Sequence, residues 1–184
     1  MSNLAQQLRI YEQKISRNNY ETAYLFNPGG DLLFKKRGSF NSVWFSKSQL
    51  AKMPGNILTH NHPYDKRLEP YGITSTMSSK DIGLAYQREL LEFRLVFGDE
   101  HHSFRWTDAS FNNAQDFIDR LQLLEVGINA TIDRVVENLY KGKYITENEY
   151  FTDYCTAVKK HTEGISIFIE HNSDIGYIYS REGR

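Results

Sequence analysis

Apolar side chains recur at steps of three and four residues from Phe111 through Ala114, Ile118, Leu121, Leu124, Ile128, Ile132 and Val135 to Leu139, the spacing of one continuous helical face. A helix of that length cannot leave its stripe in water, so a sheet or another helix must cover it. Packing back on the same chain is the favoured arrangement, and a homodimer through residues 111–170 is the other. Lys141-Gly142-Lys143 ends the helix, and Thr146-x-x-Glu149 forms a capping box that opens the next. That second helix carries Tyr150, Tyr154, Val158, His161, Ile165 and Phe168 on one face. Ile165 to Ile169 also fits a period of two, so a hairpin over 165–179 competes with the helix, which is preferred.

Upstream the period changes. Leu4, Leu8, Ile10 and Ile15 follow a helical stripe over residues 3–16. Tyr20 to Phe26 and Leu32 to Phe34 flank the turn residues Asn27-Pro28-Gly29-Gly30-Asp31, which predicts a β-hairpin. Ser42 to Phe45 reads as a third strand, Lys47 to Met53 as one or two helical turns, and Asn56 to His60 as a buried strand. Pro63 to Met77 has loop composition without a period. Ser78 and Ser79 place a hydroxyl at the N-cap of a helix over Asp81 to Tyr86. Glu92 to Phe97 and Ser103 to Trp106 predict a second hairpin around Gly98 to His102. The mixed α and β region closes near residue 107.

Composition removes several function classes. The 184 residues hold 22 Lys and Arg against 23 Asp and Glu, a net charge of −1. Binding driven by phosphate contacts needs surplus cations, so neither nucleic acid nor anionic membrane is expected as the main partner. Hydrophobic residues at 40 % and aromatics at 14 % are more than a disordered chain carries. The single cysteine, Cys155, makes no internal disulfide and no Cys-x-x-Cys pair. That usage suits a reducing cytoplasm, with no export signal or membrane span expected.

The stretch that carries chemistry is His60-Asn61-His62-Pro63, followed by Ser78-Ser79-Lys80-Asp81. Two histidines at i and i+2 on an extended segment project to the same side and bring two imidazole nitrogens to one metal. An aspartate in the first turn of the next helix adds a carboxylate oxygen and leaves a fourth position for water, which is a catalytic arrangement. With thiolates absent, His, His and carboxylate favour zinc, though manganese and iron also accept such ligands. Hydrolysis of an amide-type bond needs a proton acceptor near the water, usually a glutamate. Glu21, Glu69, Glu89 and Glu92 are the candidates, and spacing alone does not choose among them.

His60-x-His62-Pro63 followed by Ser78-x-x-Asp81, with Glu21 opening an upstream strand, resembles the JAMM (JAB/MPN-type) metalloprotease motif. His-Asn-His-Pro is similar to its bacterial RadC-like and phage-encoded branches. The resemblance covers residues 18–107. It implies an α/β fold in which helices flank a mixed central sheet, here a JAMM-like domain over 1–107. Residues 108–184 would be a long α-helical C-terminal extension, packed on that domain or mediating self-association. It further implies one zinc held by His60, His62 and Asp81, Glu21 as general base and later acid, and Ser78 as a donor to the oxyanion. Family members cut peptide or isopeptide bonds, often after the C-terminal glycine of a ubiquitin-like tail. This sequence departs from the pattern in its longer gap of fifteen residues between His62 and Ser78. The extra residues, Tyr64 to Met77, read as a lid, a substrate-binding loop or a mark of drift. The alternative function is a catalytically silent binding or scaffold module associated with mobile elements. A zinc deaminase is set aside, because it needs a Pro-Cys-x-x-Cys pair beside its His-x-Glu segment and one cysteine cannot supply it.

The remaining polar residues are expected to be structural. His101-His102 falls in the second hairpin's turn beside Asp99 and Glu100, and His161 lies on the apolar side of the last helix. Cys155 reads as a small buried side chain, and Tyr64, Tyr71 and Tyr86 as packing residues with a peptide groove as the other option.

Overall fold

The computed structural model describes residues 4–107, 113–144, 146–173 and 176–183. In chain order these are α1 (Leu4–Gln13), β1 (Thr22–Phe26), β2 (Leu32–Arg37), α2 (Lys47–Leu50), β3 (Ile57–Asn61), a 3₁₀ turn (Lys66–Tyr71), α3 (Ser79–Gln87), β4 (Glu92–Phe97), β5 (Glu100–Trp106), α4 (Ala114–Tyr140), α5 (Glu147–His171) and β6 (Tyr177–Glu182). The strands form one mixed sheet in the order β2-β1-β3-β4-β5-β6. Only β3 and β4 run parallel, which requires a crossover, and α3 supplies it. Among the described residues no helix is long and apolar enough to cross a membrane.

Helices cover both faces, which is why β1 and β3 are buried at every position. On one face Leu8 of α1 packs with Ile15, Tyr24, Phe26, Ile57 and Val96. On the other, Leu25, Leu58, Phe93, Leu95 and Phe104 meet Ile82 of α3, Phe117 and Leu121 of α4, and Ile165 and Ile169 of α5. The helical stripe of 111–139 therefore divides. Ala114, Phe117, Ile118 and Leu121 enter this core, while Leu124, Ile128, Ile132 and Val135 are only half-buried. Phe111, the stripe's first member, lies outside the described residues.

Local signals held where they were local. Ser46, Ser78 and Thr146 each cap their helix in a complete capping box, and α5 runs through Ile165 to Ile169 as a helix. Three expectations are corrected. Ser42 to Phe45 is not a strand: Ser39 N–H donates to Ser42 O at 2.8 Å, and this tight turn lifts the chain off the sheet. The second hairpin turns at Gly98 and Asp99, so His101 and His102 belong to β5. The region after residue 107 is not purely helical, since β6 pairs antiparallel with β5 and Tyr177 stacks on Phe104 at 4.7 Å.

The segment Tyr64 to Met77 is tied down along its length. Tyr64 N–H donates to Asn18 O at 2.8 Å, its ring packs on Phe97, and its hydroxyl meets Glu69, which also pairs with Arg17. Thr74 and Thr76 bond Thr162 and Ser166 of α5. This segment thus ties the sheet to α5.

Candidate metal centre

Alternation along β3 sends Thr59 and Asn61 towards α1 and Leu58 and His60 to the opposite face, and His62 follows on that side past the strand's end. The crossover then brings the first turn of α3 against the end of β3. Asp81 is the third residue of that turn, and the capping box fixes its carboxylate: Ser78 N–H and Ser78 Oγ both donate to Asp81 Oδ2 at 2.8 Å.

The three side chains converge. One ligand atom each from His60, His62 and Asp81 lies within 4.8 Å of the others. His60 Nε2 is 3.5 Å from Asp81 Oδ1, and His62 Nε2 is 3.4 Å from Asp81 Oδ2. Donors placed 2.0–2.1 Å from a tetrahedral zinc lie about 3.3 Å apart, so this spacing fits. The far side of each imidazole is occupied. His60 Nδ1–H donates to Arg94 O at 3.1 Å, and His62 Nδ1 bonds Ser75 Oγ at 2.7 Å. These partners orient the rings and leave Nε2 facing the centre, the arrangement that metal-binding histidines require. Ser75 belongs to the segment Tyr64 to Met77, which therefore supplies part of the site.

The electrostatics of the three groups follow from their closeness and burial. Burial lowers His60 to about 4 despite the Asp81 carboxylate, so its imidazole is neutral at pH 7 and its lone pair is free. Burial also disfavours charge on His62, but the Asp81 hydrogen bond and charge outweigh it and raise the pKa. Burial works against Asp81 ionisation too, yet the two histidines and Ser78 hold its carboxyl well below the usual range.

Of the four glutamates, only Glu21 lines the cleft with these ligands. Glu69 pairs with Arg17 and Tyr64, Glu92 with Arg94, and Glu89 is exposed after α3. Burial lifts the Glu21 pKa, with His62 opposing and Asp81 adding. Its backbone is bracketed by Gly38 and Ser39 at 2.8 and 2.9 Å. Asn61, between the two histidines, holds the same segment: Oδ1 accepts from Thr22 N–H at 2.8 Å, and Nδ2 donates to Tyr20 O at 3.0 Å. Sequence reading passed over Asn61, although its place inside the motif and towards the opposite face was a signal.

Glu125 was missed entirely. This α4 carboxylate accepts from Ser79 N–H at 2.7 Å and from Ser79 Oγ at 2.6 Å, bracing the helix start that carries Asp81. Nothing local distinguishes it from the other acids of α4. His161 is not a core imidazole: it is half-buried and borders the cleft, as do Tyr150 and Tyr154 from the same expected apolar face. The core face of α5 is Cys155, Thr162, Ile165 and Ile169. Tyr64, Tyr71 and Tyr86 do not line the cleft, whose aromatics include Phe40, Trp44 and Phe45. His102 is buried and bonds the Tyr179 hydroxyl at 2.7 Å, while His101 bonds Glu12 on the α1 face, so neither joins the centre. Cys155 is a free, buried thiol.

The cleft has a volume of about 1170 Å³ and reaches from the metal ligands to α2, α4 and α5. Compared with family models, curated proteins and solved structures, the chain matches none.

Proposed function

We propose that this chain is a zinc-dependent metallopeptidase that hydrolyses a peptide or isopeptide bond. The observation that carries the reading is the convergence of His60 Nε2, His62 Nε2 and the Asp81 carboxylate at the floor of a wide cleft, with Glu21 beside them. The same residues carry the resemblance to the JAMM family. A zinc ion held there supplies Lewis acidity, polarising a carbonyl and letting water ionise near neutral pH. Glu21, lifted in pKa by burial, takes the proton and returns it to the leaving nitrogen. Ser78 Oγ donates to Asp81 in the resting site, so it reaches a substrate oxyanion only by exchanging acceptors. A donor of that kind contributes about 3 kcal/mol to lowering the barrier. The substrate class is a peptide or protein, ubiquitin-like tails included, met in the cytoplasm.

Metal analysis of the purified protein against His60→Ala and Asp81→Ala tests the first step. Wild type is expected to hold about one zinc per chain and the variants far less; equal content sinks the reading. A peptide and isopeptide library comparing wild type with Glu21→Gln tests the second. Turnover lost in Glu21→Gln supports the enzyme, whereas equal and negligible turnover supports a binding or scaffold module.

A further inference from the structure

The part of the cleft remote from the metal has its own chemistry. Lys80, Leu84 and Arg88 recur at steps of four, so one face of α3 borders the cleft from its metal end to the helix C-cap. Between Asp81 and Arg88 the helix rises about 10 Å, which an extended peptide covers in about three residues. The volume of about 1170 Å³ exceeds the roughly 300–1,000 Å³ usual for a small ligand. A segment of polypeptide matches it better than a single amino acid does.

The cleft carries both signs of charge along α3, with Lys80 next to Asp81 at the metal end and Arg88 at the C-cap. Its acids gather at the centre as Glu21, Asp81 and Glu125, and Asp65 is paired with Arg67. Lys80 and Arg88 have no carboxylate partner among the described residues. Arg88 is half-buried, and its Nε is shielded from solvent without a hydrogen-bond partner. Leaving such a donor unmet is costly, and the planar guanidinium is shaped for a carboxylate. The lining is rich in aromatics: Trp44 and Phe40, 80 % and 71 % exposed, come from the segment after β2, and Tyr150 and Tyr154 come from α5. Large rings bordering a cleft bury much area at little entropic cost when a partner side chain inserts between them.

We infer that the cleft takes an extended acidic and aromatic polypeptide segment, laid along α3 with its scissile bond at His60, His62 and Asp81 and a carboxylate about three residues away on Arg88. The position of the scissile bond rests on the metallopeptidase reading; the recognition by Arg88 and the aromatic walls does not.

The test uses fluorescein-labelled octapeptides with blocked ends, carrying two phenylalanines and one glutamate, with a glutamine counterpart. Binding is read by anisotropy on zinc-supplied Glu21→Gln protein. The glutamate peptide is expected to bind about tenfold tighter. Arg88→Gln should erase the difference and Arg88→Lys restore part of it, while Trp44→Ala weakens both peptides alike. Equal affinities in the parent protein, a difference that survives Arg88→Gln, or no binding of either peptide overturns the inference. Cleavage by the wild type is read separately with glutamate moved along the peptide, and the cut is expected about three residues from it. Selective binding without cleavage sinks the metallopeptidase reading alone, and cleavage indifferent to the glutamate sinks this inference alone.

Discussion

Asn61 Oδ1 accepts a hydrogen bond from Thr22 N–H at 2.8 Å, joining the residue between the two histidines to the residue after Glu21. Its Nδ2 reaches Asn18 O at 3.4 Å, Tyr20 O at 3.0 Å and His62 O at 3.1 Å, and the side chain is fully buried. One amide thus fixes the backbone on both sides of Glu21 to the motif that carries His60 and His62. Asn61→Ala strands a buried N–H and several carbonyls, so it should cost about 2–4 kcal/mol, read from urea unfolding of the metal-free protein. A loss below about 0.5 kcal/mol, the range of neutral surface changes, would show that the clamp is idle.

Acid should unfold the protein through Glu12. Burial alone raises this carboxyl's pKa, but the His101 and Arg94 hydrogen bonds at 2.8 and 2.6 Å outweigh it and bring the value from 4.5 to about 2. Because the folded value lies below the unfolded one, the stabilisation is complete above about pH 5 and disappears as pH falls towards 2. Its size is about 3 kcal/mol, the free-energy equivalent of that shift. Glu12→Gln should flatten the stability profile between pH 5 and 2 relative to wild type, measured by chemical denaturation at each pH. Parallel profiles would remove Glu12 from the account.

Glu12 also shows where sequence reading stops. A glutamate on a short amphipathic helix looks solvated, and its burial depends on Arg94 and His101, which the sheet brings to it from far along the chain. By contrast, the hairpin at Asn27 to Asp31 and the capping boxes at Ser78 and Thr146 depend on neighbours within a few residues, and they were legible. The His60, His62 and Asp81 set was legible because strand and helix geometry fix its reach. Ser75 and Glu125, which support that set, come from a segment without a period and from a helix read only for its apolar stripe. Ser42 to Phe45 has strand composition, but a strand is made by its partners, and the Ser39–Ser42 turn takes it away from them.

The C-terminal strand should prove indispensable to the core. Tyr177 is buried, stacks on Phe104 at 4.7 Å, lies 5.1 Å from the Phe117 ring, and directs its hydroxyl to Ile169 O. It therefore joins β5, α4 and α5 at one point. Tyr177→Ala is expected to cost about 3–5 kcal/mol, measured as the change in unfolding free energy. A cost near 1 kcal/mol would mean that β6 is a loosely attached edge.

Ser75 permits a separation of metal holding from folding. Its hydroxyl meets His62 Nδ1 at 2.7 Å, and it sits among the fifteen residues between His62 and Ser78. Removing an outer partner of a ligating histidine commonly lowers metal affinity by about 10–100-fold. Ser75→Ala should do so in a chelator competition with zinc, while metal-free unfolding shifts by about 1 kcal/mol for the lost neutral hydrogen bond. Ser75→Thr keeps the hydroxyl and should recover most of the affinity. If Ser75→Ala binds zinc as tightly as wild type, His62 is oriented by Asp81 alone and the segment Tyr64 to Met77 does not serve the metal centre.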